Sequence, residues 1–181
     1  MPADPLRLAA LASVAIEAIP PDSPTWLRDM EKVIARAHTA AWLAGTAERL
    51  GVKLDSALLS QARLSRAERA EIRGIVEKQF DYLRGFDRAE MSEAAIAARM
   101  QLYAGAAKQT FLETRWGDWE IPPHLMPGNQ QCMTQCYCRG HVRDNGDGTG
   151  LWVREMGGRE NHCAACPPLA GDHPVKRRRA A

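Results

Sequence analysis

Cys132-Met133-Thr134-Gln135-Cys136-Tyr137-Cys138, followed further on by Cys163-Ala164-Ala165-Cys166, holds every cysteine of this chain. Two local clusters bracket a turn-rich stretch, which is the spacing of metal ligands. Zinc takes four thiolate or imidazole ligands in a tetrahedron, and structural sites draw one ligand pair from each of two local turns joined by a short hairpin. Cys163 and Cys166 make one pair. Cys132, Cys136 and Cys138 offer three candidates for the other, and Cys136 and Cys138 would share a face if extended. His141 and His162 are further candidates. A lone cysteine is by default a small buried hydrophobe, but five so close together point to one structural zinc held by four of them. An iron–sulfur cluster fits less well, because neither common ferredoxin spacing is present. A disulfide framework is the other reading. A thiolate-saturated zinc leaves no open position for water or substrate.

Between the clusters, Asp144-Asn145-Gly146-Asp147-Gly148-Thr149 supplies the Asn-Gly and Asp-Gly pairs of a hairpin turn. The flanking segments, Cys138 to Arg143 and Gly150 to Glu155, are expected to form a β-hairpin carrying Trp152. The cysteine module thus spans 132–168. Upstream, prolines and glycines from Trp116-Gly117-Asp118-Trp119 through Ile121-Pro122-Pro123-His124 to Pro127-Gly128-Asn129 mark a linker over 116–131. Trp116 and Trp119 are expected to plug the seam between that module and what precedes it, or else to stack on bases. Residues 169–181, with Lys176-Arg177-Arg178-Arg179, are expected to form a basic, disordered tail.

Residues 1–115 contain no cysteine and have helical patterning. Ser23-Pro24 offers a cap followed by a proline at the first helical position, and Gly51 a C-terminal stop. Between them Trp26, Leu27, Met30, Val33, Ile34, Ala37, Ala41 and Ala44 form an apolar stripe. Ser65-Arg66-Ala67-Glu68 fits a capping box before Ile72, Ile75, Val76, Phe80 and Leu83, and Gly85 ends that helix. A third helix opens at Asp87-Arg88-Ala89-Glu90 or at Ser92 and runs through Ala94, Ala95, Ala98, Leu102, Ala106 and Phe111 to about Glu113. The fold expected is mainly α: long amphipathic helices followed by a small metal-stabilised β-hairpin module.

The stretch Leu6 to Ile19 is apolar but is interrupted by Arg7 and Glu17 and is short for a bilayer span, so it is expected to be a packing helix rather than a signal or anchor. In a reducing compartment, clustered cysteines bind metals rather than pair. With 24 basic and 22 acidic residues in 181, the net charge of +2 excludes binding nucleic acid by bulk charge. The module itself balances Asp144, Asp147, Glu155 and Glu160 against Arg139, Arg143, Arg154 and Arg159. Phosphate loops, nucleophile elbows and H-E-x-x-H helices are absent, so no enzyme is expected.

The run Trp119-Glu120-Ile121-Pro122-Pro123, then Pro127-Gly128, the Cys132–Cys138 cluster, a glycine-rich hairpin with Trp152 and the closing Cys163-Ala164-Ala165-Cys166 resembles the C-terminal cysteine motif of tailed-phage head morphogenesis proteins. These are minor head, or minor capsid, proteins loosely similar to the phage Mu F-like group. The helix from Met91-Ser92-Glu93-Ala94 to Ala106-Ala107 resembles the segment leading into that motif, so the likeness covers Met91 to Cys166. The family step Asn-Cys-Arg-Cys is here Gln135-Cys136-Tyr137-Cys138, and Pro167-Pro168 stands where the family often continues as a helix. The resemblance implies a virion or procapsid component, present in several copies, that contacts portal or capsid proteins during head assembly in the host cytoplasm. The alternative expectation is a small zinc-dependent nucleic-acid-binding protein, with Lys176, Arg177, Arg178 and Arg179 in its contact surface.

Overall fold

In the computed structural model the described residues are 19–20, 22–52, 64–85, 92–127, 138–157 and 163–179. The expected Leu6–Ile19 helix lies outside them save for Ile19, as do the Asp87–Glu90 start, Cys132, Cys136 and His162. The chain divides into two units, 1–115 and 116–181. The described residues form three α-helices, α1 (Trp26–Arg49), α2 (Arg66–Arg84) and α3 (Glu93–Arg115), and three strands, β1 (Arg139–Asp144), β2 (Thr149–Glu155) and β3 (Gly171–Lys176). The strands make one antiparallel sheet in the order β1-β2-β3. The expected mainly-α class is therefore wrong. The second unit is built around a sheet, and the chain mixes α and β.

The first unit follows its capping signals closely. Ser65 Oγ accepts the Glu68 N–H, and the Glu68 carboxylate accepts the Ser65 N–H, so the capping box is complete. Glu68 also accepts from Trp42 Nε1 at 3.2 Å, which fastens the start of α2 to α1. These hydrogen bonds, the one from the Ser65 backbone first among them, hold the Glu68 carboxyl below the usual range. At the end of α1, Gly51 adopts φ 66 while Val52 N bonds Ala47 O and Gly51 N bonds Glu48 O. Those two bonds are a Schellman motif, and glycine takes its left-handed position without a Cβ clash. The start of α1 differs from expectation. Its first residue is Trp26, Ser23 and Pro24 belong to the preceding turn, and Thr25 Oγ1 donates to Asp29 instead of capping.

Trp26, Met30 and Ile34 from α1, Ile72, Val76, Phe80 and Leu83 from α2, and Tyr103 from α3 form the core of this unit. The expected stripe on α3 holds only in part. Its Phe111 is buried and Ala95 and Ala106 are half-buried, but Ala94, Ala98 and Leu102 are exposed, and the buried face is made with Tyr103, Ala107, Thr110, Leu112 and Thr114. Alanine is nearly indifferent to burial, and the heavier side chains set the facing. Close approach comes from Gly45 of α1: a Cβ there would stand 2.6 Å from the Phe111 carbonyl oxygen and 2.9 Å from Thr114 Cβ.

A polar knot crosses this core. His38 is fully buried, its Nδ1 2.7 Å from Thr110 Oγ1 and its Nε2 2.9 Å from Gln79 Nε2. The Gln79 amide can only donate from that nitrogen, so His38 Nε2 accepts and Nδ1–H donates to Thr110: a neutral ring joining all three helices. Burial pushes the His38 pKa down. The unfolded chain therefore takes up a proton near 6.5 that the folded chain resists. The stabilisation is complete above that pH and is lost as pH falls through the depressed folded value. Urea melts of the helical signal should show stability falling between pH 7 and 5, with a flatter slope in His38→Gln. Equal slopes would remove His38 from the account.

In the second unit the hairpin pairs Arg139 with Glu155 through to Asp144 with Gly150. Its loop is held by Asp144 Oδ1 accepting from Gly146 N, and by Asp147 Oδ1 accepting from Thr149 N and Oγ1, with Gly146 and Gly148 at positive φ. Those bonds from Thr149 hold the exposed Asp147 carboxyl low.

β3 corrects the expected disordered tail over 169–181. It pairs with β2 from Gly171 opposite Arg154 to Lys176 opposite Thr149. Pro174 is tolerated because β3 is an edge strand of this sheet, where one side of the backbone needs no ladder partner. The expected linker over 116–131 is also structured in its described part. Trp119 bridges to Arg177, with Glu120 N bonded to Lys176 O and Arg178 N to Asp118 O, while Arg177 N bonds Gly148 O. Arg177 stacks 5.3 Å from the Trp119 ring and pairs with Asp144 at 2.8 Å. The tail is thus a structural clamp. Deleting Lys176 to Ala181 removes three backbone hydrogen bonds and should destabilise the sheet unit by about 2–4 kcal/mol. Truncation after Arg179 should cost nothing measurable in the same thermal melt.

Candidate metal centre

Positions 140, 150, 152 and 154 share the inner face of the sheet, and their sizes alternate for a reason. A Cβ on Gly140 would sit 2.0 Å from Trp152 Cζ2, and one on Gly150 would sit 2.9 Å from Trp119 Cζ3. The two glycines make room for two indoles. Trp152, fully buried, meets Trp116 edge-on at 6.0 Å and donates from Nε1 to the Leu125 carbonyl at 3.2 Å. That carbonyl belongs to the last residue of the 3-10 turn Pro123–Leu125, which is closed by Leu125 N donating to Pro122 O and Met126 N to Pro123 O. Trp116 and Trp119 therefore pack within the sheet unit and form its core with Leu125, Met126 and Val175.

The thiols gather at one end of this core. Cys138 is buried immediately before β1, Cys166 is buried, and Cys163 packs against them in a single cluster. Cys166 N bonds Cys163 O, a tight turn that brings the two sulfurs to 3.2 Å, and Pro167–Leu169 follows as a 3-10 turn. That separation is far beyond a disulfide bond of about 2.05 Å. It is also shorter than the roughly 3.8 Å between two ligands of a tetrahedral zinc, given Zn–S bonds of about 2.3 Å. Cys132 and Cys136, the remaining candidates, lie outside the described residues. Among the described residues alone, no group of three or more His, Cys, Asp or Glu side chains is arranged to hold a metal. What the structure brings together is the thiol pair Cys163 and Cys166 with Cys138 packed beside it.

His141 is not part of this cluster. It lies exposed on the outer face of β1, 3.9 Å from the Glu155 carboxylate, because its odd position in the strand turns it away from the core. Arg143 likewise faces outward and pairs with Asp172 at 2.7 Å. The residue that spacing alone did not single out is Arg154. Its signal was available in the two-residue step from Trp152, which puts a guanidinium on the core face of β2.

No helix of the described residues is long and apolar enough to cross a membrane. No family model matches the chain, and no curated protein or solved structure matches it.

Proposed function

We propose that this chain is a structural component of a tailed-phage particle or procapsid, a minor head protein acting in head assembly near the portal, whose sheet unit is held by one structural zinc. The observation that supports the metal half of this reading is the packing of half-buried Cys163 against buried Cys138 and Cys166, with the Cys163 and Cys166 sulfurs at 3.2 Å. The assembly half is supported by the resemblance of Met91 to Cys166 to the head-morphogenesis motif. The residues of that motif that lie among those described, Trp119, Pro122, Pro123, Trp152, Cys163 and Cys166, belong to one unit. A motif that makes a small cross-linked body suits a part that must dock in a crowded shell.

The alternative, a zinc-dependent nucleic-acid-binding protein, relies on the basic run at 176–179. Two of its cations are engaged inside the unit: Arg177 with Asp144 and the Trp119 ring, and Arg178 Nε with the Trp119 carbonyl. Only weak, salt-sensitive contact with nucleic acid is expected from what remains. Mass spectrometry of heads purified from cells carrying this gene should find the chain in several copies with portal and capsid proteins. Its absence from heads and procapsids, together with tight DNA binding that survives 200 mM salt, would overturn the proposal.

A further inference from the structure

Cys163 and Cys166 stand at the two ends of one tight turn. Cys166 N donates to Cys163 O at 2.9 Å, and Leu169 N donates to Cys166 O at 3.0 Å, so the backbone carrying the second sulfur is held on both sides. The end Cα atoms of such a turn lie within about 7 Å of each other, in the range of the roughly 4.4–6.8 Å that a disulfide spans. The sulfurs themselves are at 3.2 Å. Bringing them to bonding distance asks for a shift of about 1.2 Å, and it closes no new loop because the turn already exists.

The thiols differ in access. Cys163 is half-buried beside exposed Ala164, whereas Cys166 and Cys138 are buried. The sulfur that a small molecule in solution reaches is therefore that of Cys163. Behind the pair, the buried Arg154 places Nη2 3.5 Å from Cys166 Sγ while its Nη1 donates at 3.2 Å to the Leu125 carbonyl, which also anchors Trp152. Thiol–disulfide exchange runs through a mixed disulfide that a second thiol resolves. A reachable sulfur with a fixed, buried one in contact behind it supplies both parts.

We propose that the Cys163–Cys166 turn is a dithiol site that exchanges with low-molecular-weight disulfides such as oxidised glutathione. Cys163 Sγ gives its proton to solvent and attacks one sulfur of the incoming disulfide, whose S–S bond breaks; the departing sulfur takes up a proton and leaves as a thiol. Cys166 Sγ then loses its proton, attacks Cys163 Sγ and displaces the second thiol. The chain is oxidised by two electrons and gains one S–S bond, while one small disulfide is reduced to two thiols. This goes beyond the zinc reading and does not rest on it, since only these two sulfurs take part. Where they hold a metal, closing the bond withdraws both ligands and releases it.

The test equilibrates the full chain, as purified, with glutathione buffers of rising oxidised share, then quenches with an alkylating reagent and digests with trypsin. Cys163 and Cys166 fall in the peptide 160–176, and Cys132, Cys136 and Cys138 in 116–139. Peptide 160–176 should be the first to change, appearing unalkylated and two hydrogens lighter, and reduced glutathione should reverse it. Any zinc bound at the start should leave in step. Cys166→Ser should lose ring closure and stop with one glutathione on Cys163, and Cys163→Ser should take up none in that peptide. Should a variant fail to fold, the wild-type map decides alone. A peptide 160–176 that stays alkylated at both cysteines, or that is first joined to 116–139, would overturn the proposal. So would a chain whose bound zinc shields both sulfurs from exchange, and that result would leave the zinc reading standing.

Discussion

Stripping zinc from the intact chain with a chelator is expected to unfold the unit at 116–181 and to leave most of the helical signal in place. The helical unit has its own core, in which Trp26, Met30, Ile34, Ile72, Val76, Phe80 and Leu83 are buried together. The sheet unit has much less: a few indoles, Leu125, Met126, Val175 and the thiols. A body of that size seldom folds on hydrophobic burial alone and needs a cross-link. Structural zinc sites in small peptides contribute about 10–16 kcal/mol, and without the metal such peptides are unfolded. Far-UV circular dichroism should therefore change little on chelation, while Trp152 and Trp119 become accessible to a fluorescence quencher. Loss of nearly all helicity would mean that the two units depend on one another for folding.

Trp152→Ala should be the most damaging single substitution in the sheet unit. The indole is fully buried, packs edge-on against Trp116 and hydrogen-bonds the Leu125 carbonyl. Truncating a large core aromatic costs about 3–5 kcal/mol through lost burial and the cavity left behind, which is a large part of what a small unit has. Gly140→Ala approaches the same site from the other side, because its methyl would overlap the ring at 2.0 Å and force strand or indole to move. Trp152→Phe keeps an aromatic ring and should cost less. Thermal melts of the zinc-loaded protein, followed by near-UV dichroism, should rank Trp152→Ala well below Trp152→Phe, with the helical transition unmoved in all three. Equal melting of Trp152→Ala and wild type would refute the packing described for this face.

Much of the local structure was legible in the sequence because its causes are local. The capping box at Ser65, the Schellman glycine at Gly51 and the Asn-Gly and Asp-Gly turn each specify their geometry within a few residues. The cysteine spacing likewise anticipated that Cys163 and Cys166 stand together, since a turn between them brings the sulfurs close. What was not legible depends on distant partners. β3 contains Pro174 and begins at Gly171, both unfavourable in a strand taken alone, and it exists because β2 offers an edge and Trp119 closes the end. The facing of α3 was read only in part because alanines carry little preference, while its buried Thr110 is matched to a histidine 72 positions away. His141 was plausible as a ligand by chemistry, and strand alternation turns it outward. Arg154 reads as an ordinary surface charge until the sheet places it against Cys166 and the Leu125 carbonyl.

The sulfur cluster is the centre of the account, and native mass spectrometry of the full chain purified without added chelator or oxidant tests it most directly. The account predicts one zinc per chain, retained until acid or chelator removes it, and lost when Cys163 and Cys166 are both replaced by serine. A folded, metal-free chain whose mass shows two disulfides among its five cysteines would contradict it.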